Sequence, residues 1–233
     1  MEPLLYTYLF IFGLIFGSFY NVVGIRLAHG KSIVHPRSHC PKCGHTLTAF
    51  ELIPVFSWII QRGRCRNCKT SVSPKYAIFE LLTASLFTIS PILTGWSKDL
   101  VVALVLISFV IILAIADLDS GTIPRQVLLF FLGTGVLLRI FIPMETWWNP
   151  WLGALAGYII FTLINRLQQG SRKNEYALLA AVNGLFIGIP GIVLVMVIWL
   201  FNQIKGSSGE RHRTLPITTI LSFLTLLMFF VMK

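Results

Sequence analysis

Most of this chain consists of apolar runs that are about as long as a bilayer is thick. Eight such runs occur, at residues 4–26, 76–95, 100–116, 126–143, 150–165, 177–189, 191–204 and 215–232. A helix needs ~20 largely apolar residues to cross a membrane, and only helices and closed barrels satisfy their backbone polar groups there. The sequence therefore predicts an all-α polytopic membrane protein with about eight transmembrane helices.

The composition agrees with this prediction. Hydrophobic residues make up 55% of the 233 residues and charged residues only 12%, and the mean hydropathy is +0.78. These values lie far outside the balance of a soluble globular domain. The sixth and seventh runs meet at Gly188-Ile189-Pro190-Gly191. We expect two helices there, because a proline within one helix frees backbone groups that lipid cannot satisfy; one kinked helix, giving seven spans, is the alternative.

A long polar segment after the first run carries two matched cysteine pairs, Cys40-Pro-Lys-Cys43 and Cys65-Arg-Asn-Cys68. A Cys-x2-Cys turn places both sulfurs on one side of a tight loop, and two such turns supply the four thiolates of a structural Zn²⁺ site. The pairs are separated by 21 residues. We expect the apolar stretch from Leu52 to Phe56 to pack between them as a buttress.

Two disulfides or four free thiols are the alternatives to a zinc site. Arg64 and Arg66 favour the cytosolic side, where disulfides rarely persist and clustered thiols usually bind metal. His39 or His45 replacing a sulfur is a weaker alternative, because four cysteines already complete the coordination sphere. Asn21, Arg26 and Glu80 are expected to orient this segment or to form hydrogen bonds between helices.

These features divide the chain into three parts. Residues 1–27 form the first transmembrane helix, residues 28–75 the cytosolic four-cysteine zinc-binding module between helices 1 and 2, and residues 76–233 the main membrane domain. The first helix has no basic residue before it and no small-residue cleavage site, so we expect it to stay attached as an anchor.

The basic residues predict the orientation, because they accumulate on the cytoplasmic side of a membrane protein. With eight spans and the N-terminus outside, only Lys98, Arg139 and Lys233 fall outside. The other sixteen of the 19 basic residues fall inside: Arg26, Lys31, Arg37, Lys42, Arg62, Arg64, Arg66, Lys69, Lys75, Arg125, Arg166, Arg172, Lys173, Lys205, Arg211 and Arg213. The zinc loop is therefore predicted to lie in the cytosol.

The net charge of +10 needs no nucleic-acid partner. Topology and anionic lipid headgroups explain it, and no basic patch is interleaved with aromatic residues as a nucleic-acid surface would be. The partners predicted from the residues alone are membrane lipids.

Asp117 is the carboxylate that most suggests chemistry. It ends the apolar run of the third span, before Leu118-Asp119-Ser120-Gly121. An ionisable group at a helix centre costs ~2.5 to 3.5 kcal/mol to insert, less near the interface, so such residues are functional candidates. The alternative is an acid at a helix end that simply faces the cytosol.

An aspartyl protease needs two carboxylates close enough to share a proton. Asp119 is not expected to be the partner of Asp117, because side chains two positions apart on a helix point to opposite faces. The second carboxylate must come from another helix.

The chain resembles the type IV prepilin peptidases, and several motifs carry this resemblance. They are Gly17-Ser18-Phe19-Tyr20-Asn21-Val22-Val23, Pro36-Arg37-Ser38-His39-Cys40 through Cys43-Gly44-His45, Glu51-Leu52-Ile53-Pro54, Arg62-Gly63-Arg64-Cys65, Tyr76, and Glu80-Leu81-Leu82. The resemblance extends from end to end and is most specific in the N-terminal third. It implies a membrane aspartyl protease that removes the leader of prepilins or pseudopilins at the cytoplasmic face. It also implies a second activity, N-methylation of the new N-terminus with S-adenosylmethionine.

The resemblance assigns the two catalytic carboxylates. The family's first aspartate lies seven residues before the proline of an Ile-Pro pair, which is the position of Asp117 relative to Pro124. The second belongs to a Gly-x-Gly-Asp motif that precedes Lys-Leu-Leu-Ala-Ala. Here Ala177-Leu178-Leu179-Ala180-Ala181 keeps the end of that motif, and the four corresponding positions are Arg172, Lys173, Asn174 and Glu175.

The altered second motif leaves two interpretations of function. In the first, Glu175 replaces the lost aspartate and the chain is a working prepilin leader peptidase. In the second, Glu175 is an exposed loop acid and the chain is a catalytically silent scaffold that binds pilin-like helices or assembly proteins. The sequence indicates no oligomeric state.

Overall fold

The computed structural model describes residues 2–167, 175–193, 195–196, 224, 226–227 and 229–231. Within these residues the regular secondary structure is helical, and strand pairing is limited to two isolated bridges. The helices are α1 (Glu2–Ala28), α2 (Phe56–Ile60), α3 (Lys75–Thr94), α4 (Lys98–Ser120), α5 (Arg125–Phe141), α6 (Asn149–Leu167) and α7 (Glu175–Ile187), with a 3₁₀ turn at Phe50–Leu52. The prediction of an all-α chain is confirmed for the described residues.

Three helices, α1, α3 and α4, are long and apolar enough to cross a membrane. They match the first three predicted spans. Helices α5, α6 and α7 coincide with the next three apolar runs, although α7 has only 13 residues. Most of the runs 191–204 and 215–232 lies outside the described residues. The count of eight spans therefore stays a prediction.

Helix α4 lies at the centre of the bundle, and its ends follow from its sequence. The side chain of Ser97 accepts a hydrogen bond from Asp99 N at 3.2 Å and so caps the N-terminus. Gly121 ends the helix in the left-handed conformation at φ 65°, and its N–H donates to Asp117 O. Nearly every α4 residue from Leu106 to Ala116 is buried, as expected for a helix surrounded by other helices.

Small residues bring α1 and α3 into close contact. A Cβ placed on Gly17 would lie 2.7 Å from the Cα of Glu80, so only glycine allows this approach. The Tyr20 hydroxyl donates to Ser108 Oγ at 2.6 Å, which connects α1 to α4 as well. Glycine also allows α6 to pack closely on α7, since a Cβ on Gly153 would lie 2.8 Å from the backbone of Gly188.

The break after α7 lies where the sequence predicts it. Gly188 has φ 82°, and helical backbone resumes at residue 189. Two carbonyls lose their helical donors at this break, because Ile189 N donates to Asn149 Oδ1 instead and Pro190 has no N–H. These are the carbonyls of Leu185 and Phe186.

Arg139 satisfies both of these carbonyls. Its Nε donates to Leu185 O at 2.7 Å and its Nη2 to Phe186 O at 2.6 Å. Arg139 is buried in the last turn of α5. The charge pattern counts Arg139 only as a basic residue on the outer side of the membrane. In the structure it also caps α7 from within the bundle.

Candidate active site and metal centre

The two cysteine pairs form two knuckles with the same backbone hydrogen bonds, 25 positions apart. In the first knuckle, Cys40 N donates to His45 O at 2.9 Å and Gly44 N donates to Cys40 O at 2.9 Å. In the second, Cys65 N donates to Thr70 O at 2.8 Å and Lys69 N donates to Cys65 O at 3.0 Å. Each knuckle is closed by one bridge, His39 to Thr46 and Arg64 to Ser71. The equivalent turns place the four sulfurs in one cluster.

The sulfur geometry fits a tetrahedral metal ion. All four cysteines are free, and their Sγ atoms lie within 4.8 Å of one another. The Sγ atoms of Cys40 and Cys68 are 3.8 Å apart. In a tetrahedral thiolate site with Zn–S of ~2.3 Å, neighbouring sulfurs lie roughly 3.8 Å apart. The four cysteines can therefore hold a metal ion without rearrangement.

The thiols are poised unequally for deprotonation. The backbone N–H groups of Cys43 and Lys42 lower the pKa of Cys40 to about 6. The backbone N–H of Thr70 lowers the pKa of Cys68, but burial and the neighbouring thiols outweigh it and raise this pKa to about 11. Four sulfurs this close can all be ionised only when a cation offsets their repulsion. The cluster thus has the chemistry of a divalent metal site.

Neither flanking histidine belongs to the sulfur cluster. His39 Nδ1 lies 2.9 Å from Arg37 O, and His45 Nε2 lies 3.1 Å from Glu51 Oε2. The Glu51 carboxylate also accepts hydrogen bonds from the backbone and hydroxyl of Thr48, and these bonds lower its pKa. Glu51 therefore stabilises the first knuckle through its hydrogen bonds to His45 and Thr48. The sequence spacing did not reveal this role.

The polar residues of α1 and α3 attach the four-cysteine module to the helices, as the sequence predicts. Asn21 Nδ2 donates to Tyr76 O at 3.1 Å, and Arg26 Nη1 donates to Ser32 O at 3.1 Å. The buried Glu80 carboxylate accepts from Val55 N at 2.7 Å. Asn21 therefore joins α1 to α3, whereas Arg26 and Glu80 fix the module on α1 and α3.

The expected apolar buttress between the knuckles is wrong. Leu52, Ile53 and Phe56 are exposed instead of packed between the cysteine pairs. The sulfur cluster itself joins the two knuckles, so no apolar filler is needed between them. Val55 turns the chain away through a γ-turn with φ 62°, in which Phe56 N donates to Pro54 O at 2.6 Å.

The end of α4 lies beside the end of α1. His29 Nε2 is 2.8 Å from Asp119 Oδ2, and Thr122 Oγ1 donates to Ala28 O at 3.4 Å. Asp117 lies in the last turn of α4, where its side chain is partly exposed. The predicted catalytic aspartate therefore lies at the same end of the bundle as the four-cysteine module.

Asp119 lines a small cleft of about 150 Å³ between α1, α3 and α4, together with Asn21, Ile25, Ser73, Lys75, Tyr76, Phe79, Ile115 and Leu118. Pockets for ligands the size of a nucleoside cofactor are typically ~300 to 1,000 Å³. At this volume the cleft is smaller than a typical ligand pocket, and it gives no support for binding of S-adenosylmethionine there.

Glu175 is the first residue of α7, and two contacts locate it along the bundle. The two helices pack side by side and Arg139 joins the end of α5 to the end of α7, so they run in the same direction. A Cβ on Gly135 of α5 would lie 3.2 Å from the Phe186 ring, which sets their register. Glu175 precedes Leu185 by ten residues and Arg125 precedes Gly135 by ten, so at ~1.5 Å per residue both starts lie at about one level.

Because Arg125 follows α4 after a short connection, this register places Glu175 at the end of the bundle that carries Asp117. Both side chains are partly exposed and both make polar or electrostatic interactions. Arg172, Lys173 and Asn174, the rest of the altered motif, lie outside the described residues.

Comparison with known proteins agrees with this architecture. A family model for the Bacterial Peptidase A24 N-terminal domain matches residues 11–93, which include most of α1, the four-cysteine module and most of α3. No solved structure matches the chain.

Three relatives are each a "Prepilin leader peptidase/N-methyltransferase". The protein from Bacillus subtilis is 41% identical over 78% of this chain and 73% of its own length. The Myxococcus xanthus protein is 40% identical over 70% of this chain but only 48% of its own length. The Aeromonas hydrophila protein is 32% identical over 84% of this chain and 77% of its own length. With this similarity along most of its length, the chain belongs to the prepilin leader peptidase/N-methyltransferase family.

Proposed function

We propose that this protein is a prepilin leader peptidase that cuts the leader from pilins or pseudopilins at the cytoplasmic membrane face by an aspartyl protease mechanism. The observation that carries the proposal is the 41% identity to a named prepilin leader peptidase over 78% of the chain. The position of Asp117 supports it, since this aspartate ends an apolar membrane helix beside the four-cysteine module.

In this mechanism, Asp117 and Glu175 act as a pair that shares one proton. The ionised carboxylate takes a proton from the attacking water, and the protonated carboxyl donates a hydrogen bond to the scissile carbonyl. Collapse of the tetrahedral intermediate then passes a proton to the leaving amine. The substrate would enter as an apolar signal-anchor helix between spans, with its leader junction at the level of Asp117.

The register of α5 and α7 supports Glu175 as the second carboxylate. It brings the start of α7 to the end of the bundle where α4 ends, although α7 packs on α5 and α6 rather than along α4. Glutamate has one more methylene than the family's aspartate. A change of ~1 Å in the position of a reacting group can alter rates on the order of 100-fold, so we expect slower cleavage than with the original motif.

The four-cysteine site is proposed to hold a structural Zn²⁺ ion in the cytosol. Four thiolates complete the coordination sphere, so no position is left for water or substrate. The metal would fix the two knuckles relative to each other, and Glu80 and Arg26 would then fix the module on the helices. Zinc therefore contributes folding energy here and takes no part in hydrolysis.

We propose the inner membrane as the location and N-methylation as a second activity. The excess of basic residues on one side supports a cytosolic zinc module. Methylation with S-adenosylmethionine rests on the names of the relatives alone.

Incubation of the purified protein with a prepilin in detergent or liposomes tests the proposed function. We expect a shortened product from the wild type and none from Asp117→Asn. Glu145→Gln is the control, because it removes one negative charge at an exposed position between α5 and α6 and should leave cleavage unchanged. Asp119→Asn should have a milder effect than Asp117→Asn, since Asp119 binds His29.

A catalytically silent scaffold is the second candidate function. This chain lacks both glycines and the aspartate of the family's second motif, and this favours the scaffold. Glycine allows backbone conformations that arginine and asparagine at these positions rarely adopt. Failure of the zinc-loaded wild type to cut several different prepilins, while still binding them, would select the scaffold.

A further inference from the structure

Residues 50–60 of the four-cysteine module form an apolar surface with no exposed charge, in which the helix α2 contacts the 3₁₀ turn at Phe50–Leu52. This face, here called the apolar ledge, consists of Phe50, Leu52, Ile53, Phe56, Ile59 and Ile60, all of them exposed. Phe50 is 79% and Ile60 is 78% exposed. Six large apolar side chains grouped on a small module form a patch that water-facing surfaces rarely carry.

The charge pattern of the segment strengthens this observation. Glu51 is the one charged residue between positions 50 and 60. Its side chain is buried and bonded to Thr48 and His45, so it is turned away from the ledge. The sequence thus removes charge from this face by pointing its one carboxylate inward.

The ledge lies at the level of the first turns of α3. Val55 N is held at 2.7 Å by Glu80, which lies five residues into α3, or ~7.5 Å along the helix axis. Trp58 Nε1 also donates to Val72 O, just before α3 begins. Ile78 and Leu81 of α3 are exposed as well. The ledge therefore lies beside the start of a helix that is itself apolar enough to cross the membrane.

Basic residues follow the ledge directly. Arg62, Arg64, Arg66 and Lys69 are all exposed, and they lie within ten positions of Ile60. Apolar side chains beside exposed arginines and lysines match a bilayer surface, where the apolar groups enter the acyl boundary and the cations bind anionic headgroups.

From this arrangement we propose that the apolar ledge inserts into the cytoplasmic leaflet of the bilayer, so that the four-cysteine module is held on the lipid surface as well as by its hydrogen bonds to α1 and α3. The occupant of the ledge is lipid. The strained γ-turn at Val55, held by Glu80, is the bend that directs Phe56 and the short helix α2 towards the membrane. This insertion does not depend on whether the chain cleaves prepilins.

Fluorescence quenching by lipids brominated near the headgroup end of the acyl chains tests this proposal. The full-length, zinc-loaded protein is reconstituted in nanodiscs, and the emission added by one new tryptophan is obtained by subtracting the wild-type signal. Ile60→Trp reports from the ledge, and Lys42→Trp is the matched control at an exposed position of the first knuckle. We expect brominated lipid to remove most of the added emission of Ile60→Trp and little of that of Lys42→Trp.

Equal and weak quenching of both tryptophans would overturn the proposal. Phe50→Trp provides a second reporter on the ledge if Ile60→Trp loses its zinc or fails to fold. If brominated lipid does not quench the ledge reporters but a pilin-like peptide changes their emission, the ledge is a substrate-docking surface and the proposal of lipid insertion is wrong.

Discussion

Replacing Arg139 with methionine should destabilise the membrane bundle far more than the loss of an exposed cation does. Methionine fills a similar volume but donates no hydrogen bond, so Leu185 O and Phe186 O lose their partners at the break after α7. Each unsatisfied buried carbonyl costs ~1 to 3 kcal/mol, or about 2 to 6 kcal/mol for two. Because the buried methionine regains part of this by apolar packing, we expect a net loss of about 3 kcal/mol.

Titration of the purified protein with sodium dodecyl sulfate in mixed micelles measures this loss as a change in the free energy of unfolding. Arg125→Met is the matched control, because Arg125 is exposed at the start of the same helix, and we expect a change within about 0.5 kcal/mol. Arg139→Lys should fall between the two, since one ammonium group replaces the fork of the guanidinium. A free energy of unfolding for Arg139→Met within about 0.5 kcal/mol of the wild type would refute the capping role.

Three further predictions concern the metal, the packing and the topology. Gently purified protein should contain about one zinc per chain, and metal analysis of Cys40→Ser or Cys65→Ser should find none; a wild type without zinc would contradict the metal site. Gly17→Ala should lower the free energy of unfolding by about 1 to 3 kcal/mol, because its Cβ would overlap the backbone of α3. Gly133→Ala is the control, because its Cβ meets open space, and it should leave the free energy of unfolding unchanged or raise it by up to about 1 kcal/mol. Equal effects of Gly17→Ala and Gly133→Ala would exclude tight packing at Gly17. In intact cells, an impermeant thiol reagent should label a cysteine placed at Lys98 but none of the native cysteines, and labelling of the native cysteines would invert the orientation.

The four-cysteine cluster could be predicted from sequence because its geometry is local. Each Cys-x2-Cys turn positions its own two sulfurs, so the spacing at Cys40 and Cys65 is enough to expect one metal site. The apolar buttress could not be assigned in the same way. A short apolar run shows that a segment avoids water, but not whether it does so inside the protein or in lipid.

The role of Arg139 was missed because it depends on two helices that are distant in sequence. The carbonyls of α7 lose their donors only where Gly188 and Pro190 break the helix, and only the packing of α5 on α7 brings Arg139 to them. A signal was present in the sequence, since an arginine within an apolar run is expensive unless a partner satisfies it. The partner itself could not be read from the pattern.

The assignment of Glu175 depends most on the resemblance, because the motif that identifies this position is altered. The structure adds only the register of α7, and the preceding residues lie outside its described part. Sequence alone could not choose between a replaced carboxylate and a degenerate loop, since both leave a glutamate shortly before the Ala-Leu-Leu-Ala-Ala segment.

The rate of prepilin leader cleavage by Glu175→Gln is the most direct test of the proposed carboxylate pair. Glutamine keeps the size of the side chain but cannot exchange a proton, so we expect the rate to fall by at least ~100-fold relative to the wild type. Glu175→Asp, which restores the shorter acid, should keep or raise the rate. Cleavage by Glu175→Gln at the wild-type rate would show that Asp117 has a different partner and would contradict the mechanism proposed here.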